Sequence, residues 1–73
     1  MTLYGFVLRS RSGSLFRVSR GGVPVRFDGD GMTYVKADVL DHLLGDWSAL
    51  AHRQVLRFAP GCSNGVAYLE VTI

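Results

Sequence analysis

The chain has one cysteine, one lysine, one glutamate and two prolines, and its first 26 residues contain no acid. Each shortage excludes something. Cys62 alone cannot staple the fold, and a lone thiol suits a reducing compartment better than an extracellular one. The apolar run from Leu3 to Leu8 follows no basic segment and is too short for a signal peptide or a membrane span, so the expectation is a soluble, cytoplasmic protein with no membrane partner. A net charge of only +2 is small for a strongly electrostatic nucleic-acid binder, although a pI near 9.1 permits that role.

Catalytic sets are missing too. There is no phosphate-cradling glycine loop, and His42, His52, Cys62 and Asp46 lack metal-ligand spacing. Asp28-Gly29-Asp30-Gly31 begins like a calcium loop but continues with Met32 and Tyr34 where oxygen ligands are needed, so it reads as a tight hairpin turn. Asp38 and His42 stand four apart, able to pair on one helix face, but Cys62 is remote in sequence from either histidine. The sequence therefore predicts no enzyme, no metal and no cofactor.

What is present is a segregated charge pattern. Five of the seven arginines (Arg9, Arg11, Arg17, Arg20, Arg26) fall in residues 1–26, and five aspartates against one lysine fall in residues 27–46, giving successive segment charges of +5, −4 and +1. Two surfaces of opposite sign follow, each readable by a charged partner. With 48% apolar and 19% charged residues the composition is that of a folded chain, and 73 residues allow a single small domain, 1–73, with one modest core.

Turn signals at Ser12-Gly13, Gly21-Gly22 and Asp28 to Gly31 predict an antiparallel β-meander of about four strands. In that register Val7 opposes Val18, Val18 opposes Val25, and Phe16 opposes Phe27. Val7, Phe16, Val18, Val23, Val25, Phe27, Met32 and Tyr34 then form the core face, and Tyr4, Phe6, Leu8, Arg17, Ser19, Pro24, Arg26 and Thr33 the other. From Lys36 to about Ala51 the period lengthens, with Leu40, Leu43, Leu44, Trp47, Leu50 and Ala51 on one side of an amphipathic helix that Gly45 interrupts. Asp38, Asp41, His42 and Asp46 lie opposite. Strands at Gln54 to Ala59 and Val66 to Ile73 follow, joined by a loop from Pro60 to Gly65. The expected class is α+β: the meander, one helix packed on it, and a C-terminal β-hairpin completing the sheet or closing a small barrel.

Two site readings follow. The acidic stripe Asp38, Asp41, Asp46 and His42 offers a basic protein partner a docking face, and Trp47 beside it would anchor such a contact if exposed, although its spacing suits the core. Tyr4 and Phe6 with Arg9, Arg11, Arg17, Arg20 and Arg26 form a second face for a protein or for single-stranded nucleic acid. The leading expectation is a small protein-binding module that occupies its partner stoichiometrically, as an inhibitor or adaptor encoded by a phage or mobile element would. Nucleic-acid binding is the alternative, and a homo-oligomer, such as a homodimer paired through strand edges, a third. The terminal Val71-Thr72-Ile73 also carries the alternating pattern of peptides captured by peptide-binding domains.

Overall fold

The structure is a computed structural model that describes residues 1–29 and 31–73. Its first element corrects the meander. Leu3–Arg9 is a helix, α1, whose N-cap Thr2 accepts a hydrogen bond from the Gly5 amide at 3.1 Å, and whose Leu3 and Val7, four residues apart, are buried. A run this uniformly apolar carries no usable period, so alternation and helical spacing fit it equally well. No strand opposes Val18 from Val7, and Tyr4, Phe6 and Leu8 are helical. The C-terminal end of α1 is held by Lys36, whose Nζ donates to the carbonyls of Leu8 at 2.9 Å and Ser10 at 2.6 Å. A cation there also complements the helix dipole. Lys36→Met is expected to lower stability by about 1 kcal/mol, a fall of roughly 4–8 °C in melting temperature for a domain this size. A thermal melt unchanged within a degree would refute the capping role.

The strands among the described residues form one mixed sheet, not a purely antiparallel meander and not a closed barrel. β1 (Leu15–Arg20) lies inside it, β2 (Val23–Pro24) and β3 (Tyr34–Val35) pair antiparallel with β1, and the hairpin β4 (Arg57–Ser63) and β5 (Val66–Thr72) joins through β5 in the order β2-β1-β5-β4. β5 runs parallel to β1, with Val18 beside Val71. The Gly21-Gly22 turn sets the expected register, Ser19 opposite Pro24, and the Val25 amide reaches the Val18 carbonyl at 2.7 Å. The chain then leaves the sheet, so Phe16 meets Tyr34 and not Phe27. β2 and β3 are thus two pieces of one antiparallel neighbour of β1, separated by an excursion. Asp30 of the expected hairpin turn lies outside the described residues.

Tyr34 holds that excursion. Its hydroxyl accepts from the Phe27 amide at 3.0 Å and donates toward the carbonyls of Gly31 and Asp28. Phe27 is packed edge-on against Tyr34 and Trp47 and stacked on His42 at 5.3 Å, while Trp47 Nε1 donates to the Phe27 carbonyl at 3.2 Å. Tyr34→Phe leaves the buried Phe27 amide without its partner, a loss of about 1–3 kcal/mol. The measurement is hydrogen exchange at Phe27, which should speed up more than that of the sheet amides; uniform or unchanged exchange would contradict this role for the hydroxyl.

Gly45 ends α2 (Lys36–Leu44) as expected, and a short α3 (Ser48–Ala51) follows, with Trp47 at its N-cap where Asp46 had the better capping side chain. Val39, Leu43, Leu50 and Ala51 join Leu3, Val7, Phe16, Val18, Val71 and Ile73 in the core between the helices and one sheet face. Ile73 is buried and its amide bonds to Ser19, so the terminal triplet is part of the sheet interior. The expected Pro60 to Gly65 loop is mostly strand: only Asn64 and Gly65 turn, with φ of 52° and 77°, matching a two-residue hairpin of the primed kind. Pro60 is tolerated because β4 is an edge strand. Gly61 is required because the Tyr68 ring lies where its Cβ would be, 2.6 Å away.

Candidate functional site

The alternation of β4 and β5 puts Phe58, Pro60, Cys62, Ala67 and Leu69 on the same sheet face as Phe16 and Val18. That is the face the helices cover. Their cover stops short: Val71 is wholly buried, whereas Phe58 is 60% exposed and Pro60, Cys62 and Ala67 are open to solvent. α1 lies on this face at the boundary, its Phe6 ring 6.4 Å from Phe16 and 4.9 Å from Phe58. Between α1 and the start of β4 runs a groove of about 640 Å³ lined by Met1, Phe6, Val55, Leu56, Phe58 and Leu69 and by the polar Arg9, Ser10 and Arg57. Leu56 is 72% exposed. Large apolar side chains gathered around one groove, not scattered singly, are the surface feature that marks an interaction site.

Its position follows from chain connectivity. The first residues pair with the segment entering β4: the Leu3 amide donates to the Arg53 carbonyl and the Val55 amide to the Met1 carbonyl, both within 2.9 Å. This clamp sets α1 beside β4 and leaves the rest of the hairpin projecting past the helix layer.

The sequence-predicted residues are distributed differently from their expected grouping. Tyr4 and Phe6 lie on α1, on the helix side of the sheet, with Tyr4 half-buried against the core. Arg17 lies on the opposite sheet face, where its Nε donates to Thr33 Oγ1 at 2.7 Å and its guanidinium sits 4.2 Å above the Tyr68 ring. The proposed aromatic and arginine face is therefore two faces, separated because Tyr4 and Phe6 are helical. Arg9 closes α1 and borders the groove; Arg11, Arg20 and Arg26 are exposed in or beside loops. Asp38, Asp41 and Asp46 are exposed along and just after α2. His42 is half-buried, stacked on Phe27, and its carboxylate neighbour is Asp28 at 3.5 Å, not Asp38. Among the described residues no three histidine, cysteine, aspartate or glutamate side chains gather as a metal site, and no helix is long and apolar enough to cross a membrane.

Met1, Val55, Leu56, Phe58 and Leu69 were not singled out by sequence reasoning. One signal was available: Pro60 inside a strand marks an edge, so the apolar residues of that strand could not all be covered by neighbours. No family model, curated protein or solved structure matches this chain. Its function is therefore read from the geometry.

Proposed function

We propose that the protein is a small non-catalytic binding module that occupies a protein partner stoichiometrically through the uncovered apolar strip of the β4–β5 hairpin and the groove beside α1. The observation that carries this reading is Phe58: a large aromatic ring held against Phe6, yet mostly exposed, lining a largely apolar groove. Binding hot spots have this character, an aromatic anchor rigidly placed and surrounded by groups that exclude water on docking. A face of about six apolar residues on a 73-residue domain is also where such a chain gains the burial it lacks alone. The exposed, lone Cys62 suits a reducing, cytoplasmic setting.

A second reading, nucleic-acid binding, is favoured by Arg17 and Tyr68 on the open sheet face. Stacking of a base requires a free ring, and the Tyr68 ring is packed against Gly61 and capped by Arg17. Glu70 stands beside Arg17 in the strand register, weakening the field for phosphate. The acidic stripe of α2 remains a secondary contact for a basic partner, and edge-to-edge pairing of copies is opposed by Pro60.

The test is capture from source-cell lysate, with and without nuclease, using the wild type, Phe58→Glu, Arg17→Glu and the double variant Asp38→Lys with Asp41→Lys. A partner retained by all except Phe58→Glu, with or without nuclease, supports the reading. Loss with Arg17→Glu or with nuclease, while Phe58→Glu still binds, replaces it with the nucleic-acid reading.

A further inference from the structure

We infer that the occupant of this face is an amphipathic helix of the partner whose apolar stripe is flanked by acidic residues. The inference rests on the docking reading above and specifies its partner. Three observations select it.

The first is charge. Arg9 at the end of α1 and Arg57 at the first position of β4 are both among the residues lining the groove, and no acid lines it. Neither arginine makes an ion pair among the described residues. Glu70, the acid nearest in register, is not among the residues lining the groove. An occupant with carboxylates beside its apolar stripe meets only cations among the charged groups of the groove, whereas one with lysines meets like charge.

The second is the edge. An extended peptide would add to β4 by main-chain hydrogen bonds, but Pro60 in the middle of β4 has no N–H to contribute. The ladder an added strand could form is therefore cut to the first residues of β4. Occupation must come over the face, not along the edge.

The third is architecture. In a two-layer domain a sheet face is covered by helices packed side by side about 10 Å above it. α1 reaches over β1 and the start of β4 through Phe6, which touches Phe16 and Phe58, and the rest of the hairpin face, with Pro60, Cys62 and Ala67, is left exposed. β4 and β5 have seven residues each, a length of about 23 Å at roughly 3.3 Å per residue. A helix of about 15 residues spans it. The partner helix thus takes the place of a missing member of this domain's own helix layer, seating its apolar residues on Phe58, Leu56 and Leu69.

The test uses full-length, isotope-labelled protein and three synthetic 15-residue peptides as probes. One is a helical peptide with leucines at positions i, i+4, i+7 and i+11 and glutamates flanking the stripe. The second replaces every glutamate by lysine, and the third is an extended peptide of alternating leucine and glutamate. Amide-shift titrations give affinity and location, and light scattering gives the mass of the protein alone. The expected result is tightest binding of the glutamate-flanked helix, at least tenfold above the lysine-flanked one at low salt, with shifts at Phe6, Leu56, Phe58 and Leu69. Arg9→Glu with Arg57→Glu should reverse the preference between the two helices, a readout that mere loss of folding cannot produce. Equal binding of the two helices, stronger binding of the extended peptide, or a protein that is already dimeric through this face would overturn the inference. Where no peptide binds but Phe58→Glu alone still loses the captured partner, the helix assignment fails and the docking face stands.

Discussion

Phe16→Ala is expected to leave the chain without a cooperative unfolding transition at 25 °C. Phe16 is wholly buried in β1, pairs with Tyr34 of β3 on one side and Leu69 of β5 on the other, and meets the edge of the Phe6 ring from α1. It is the point where both sheet neighbours and the helix layer converge, so the cavity left by truncation has little freedom to collapse. Truncating a buried phenylalanine costs about 3–5 kcal/mol. A domain of this size has about 4–10 kcal/mol in total, and the uncovered hairpin face puts this one toward the lower end. Phe16→Leu keeps most of the volume and should cost about 1.5 kcal/mol or less. Chemical denaturation followed by Trp47 fluorescence distinguishes them. A sharp transition for Phe16→Ala, with a loss under about 1 kcal/mol, would mean that the core is organised elsewhere.

Phe58→Glu should do the reverse: abolish partner binding and leave the fold standing. The side chain contributes one tilted ring contact with Phe6, worth about 0.5–1.5 kcal/mol, and its exposure means that little burial is lost with it. Against a partner, loss of an aromatic anchor costs about 2–4 kcal/mol, a thirty-fold or greater fall in affinity. A carboxylate placed among apolar groups adds a desolvation penalty on top. Leu56→Glu, at a position still more exposed and without a ring partner, is the second variant; it should weaken binding in the same direction with even less effect on the melt. Full affinity in both variants would remove the groove from the interface.

The parts of the fold legible in the sequence are those where one periodicity acts alone. α2 is marked by Leu40 and Leu43 at helical spacing and Gly45 marks its end, although Leu44, expected on the apolar side, is 69% exposed and Val39 takes the buried place. The Gly21-Gly22 turn gives the β1–β2 register directly, because the buried set Phe16, Val18 and Val25 fits one alignment only. α1 was not legible, since a run of six residues with five apolar side chains around Gly5 satisfies both periods and the deciding feature is a cap, Thr2, with a single hydrogen bond. The parallel pairing of β1 with β5 spans some fifty residues, and nothing local encodes it. The excursion after Pro24 depends on the Tyr34 hydroxyl bonding back to the Phe27 amide, a side-chain choice that sequence spacing does not reveal. For the candidate site, residue types alone did not point to the groove. Arginines and aromatics drew the eye to Tyr4, Phe6 and Arg17, which the structure places on opposite sides of the sheet, whereas Leu56 and Phe58 look like ordinary strand residues. Only their position at the margin of the helix cover, Leu56 just before β4 and Phe58 touching α1 through Phe6, leaves them exposed.

The central claim is that the bare hairpin face is the surface a partner covers, and hydrogen–deuterium exchange on the captured complex tests it most directly. Slowed exchange is expected in residues 55–62 and in α1, with β1, β2 and the exposed side of α2 unchanged. Protection confined to α2, or to the loops carrying Arg11, Arg20 and Arg26, with residues 55–62 exchanging as freely as in the isolated protein, would contradict it.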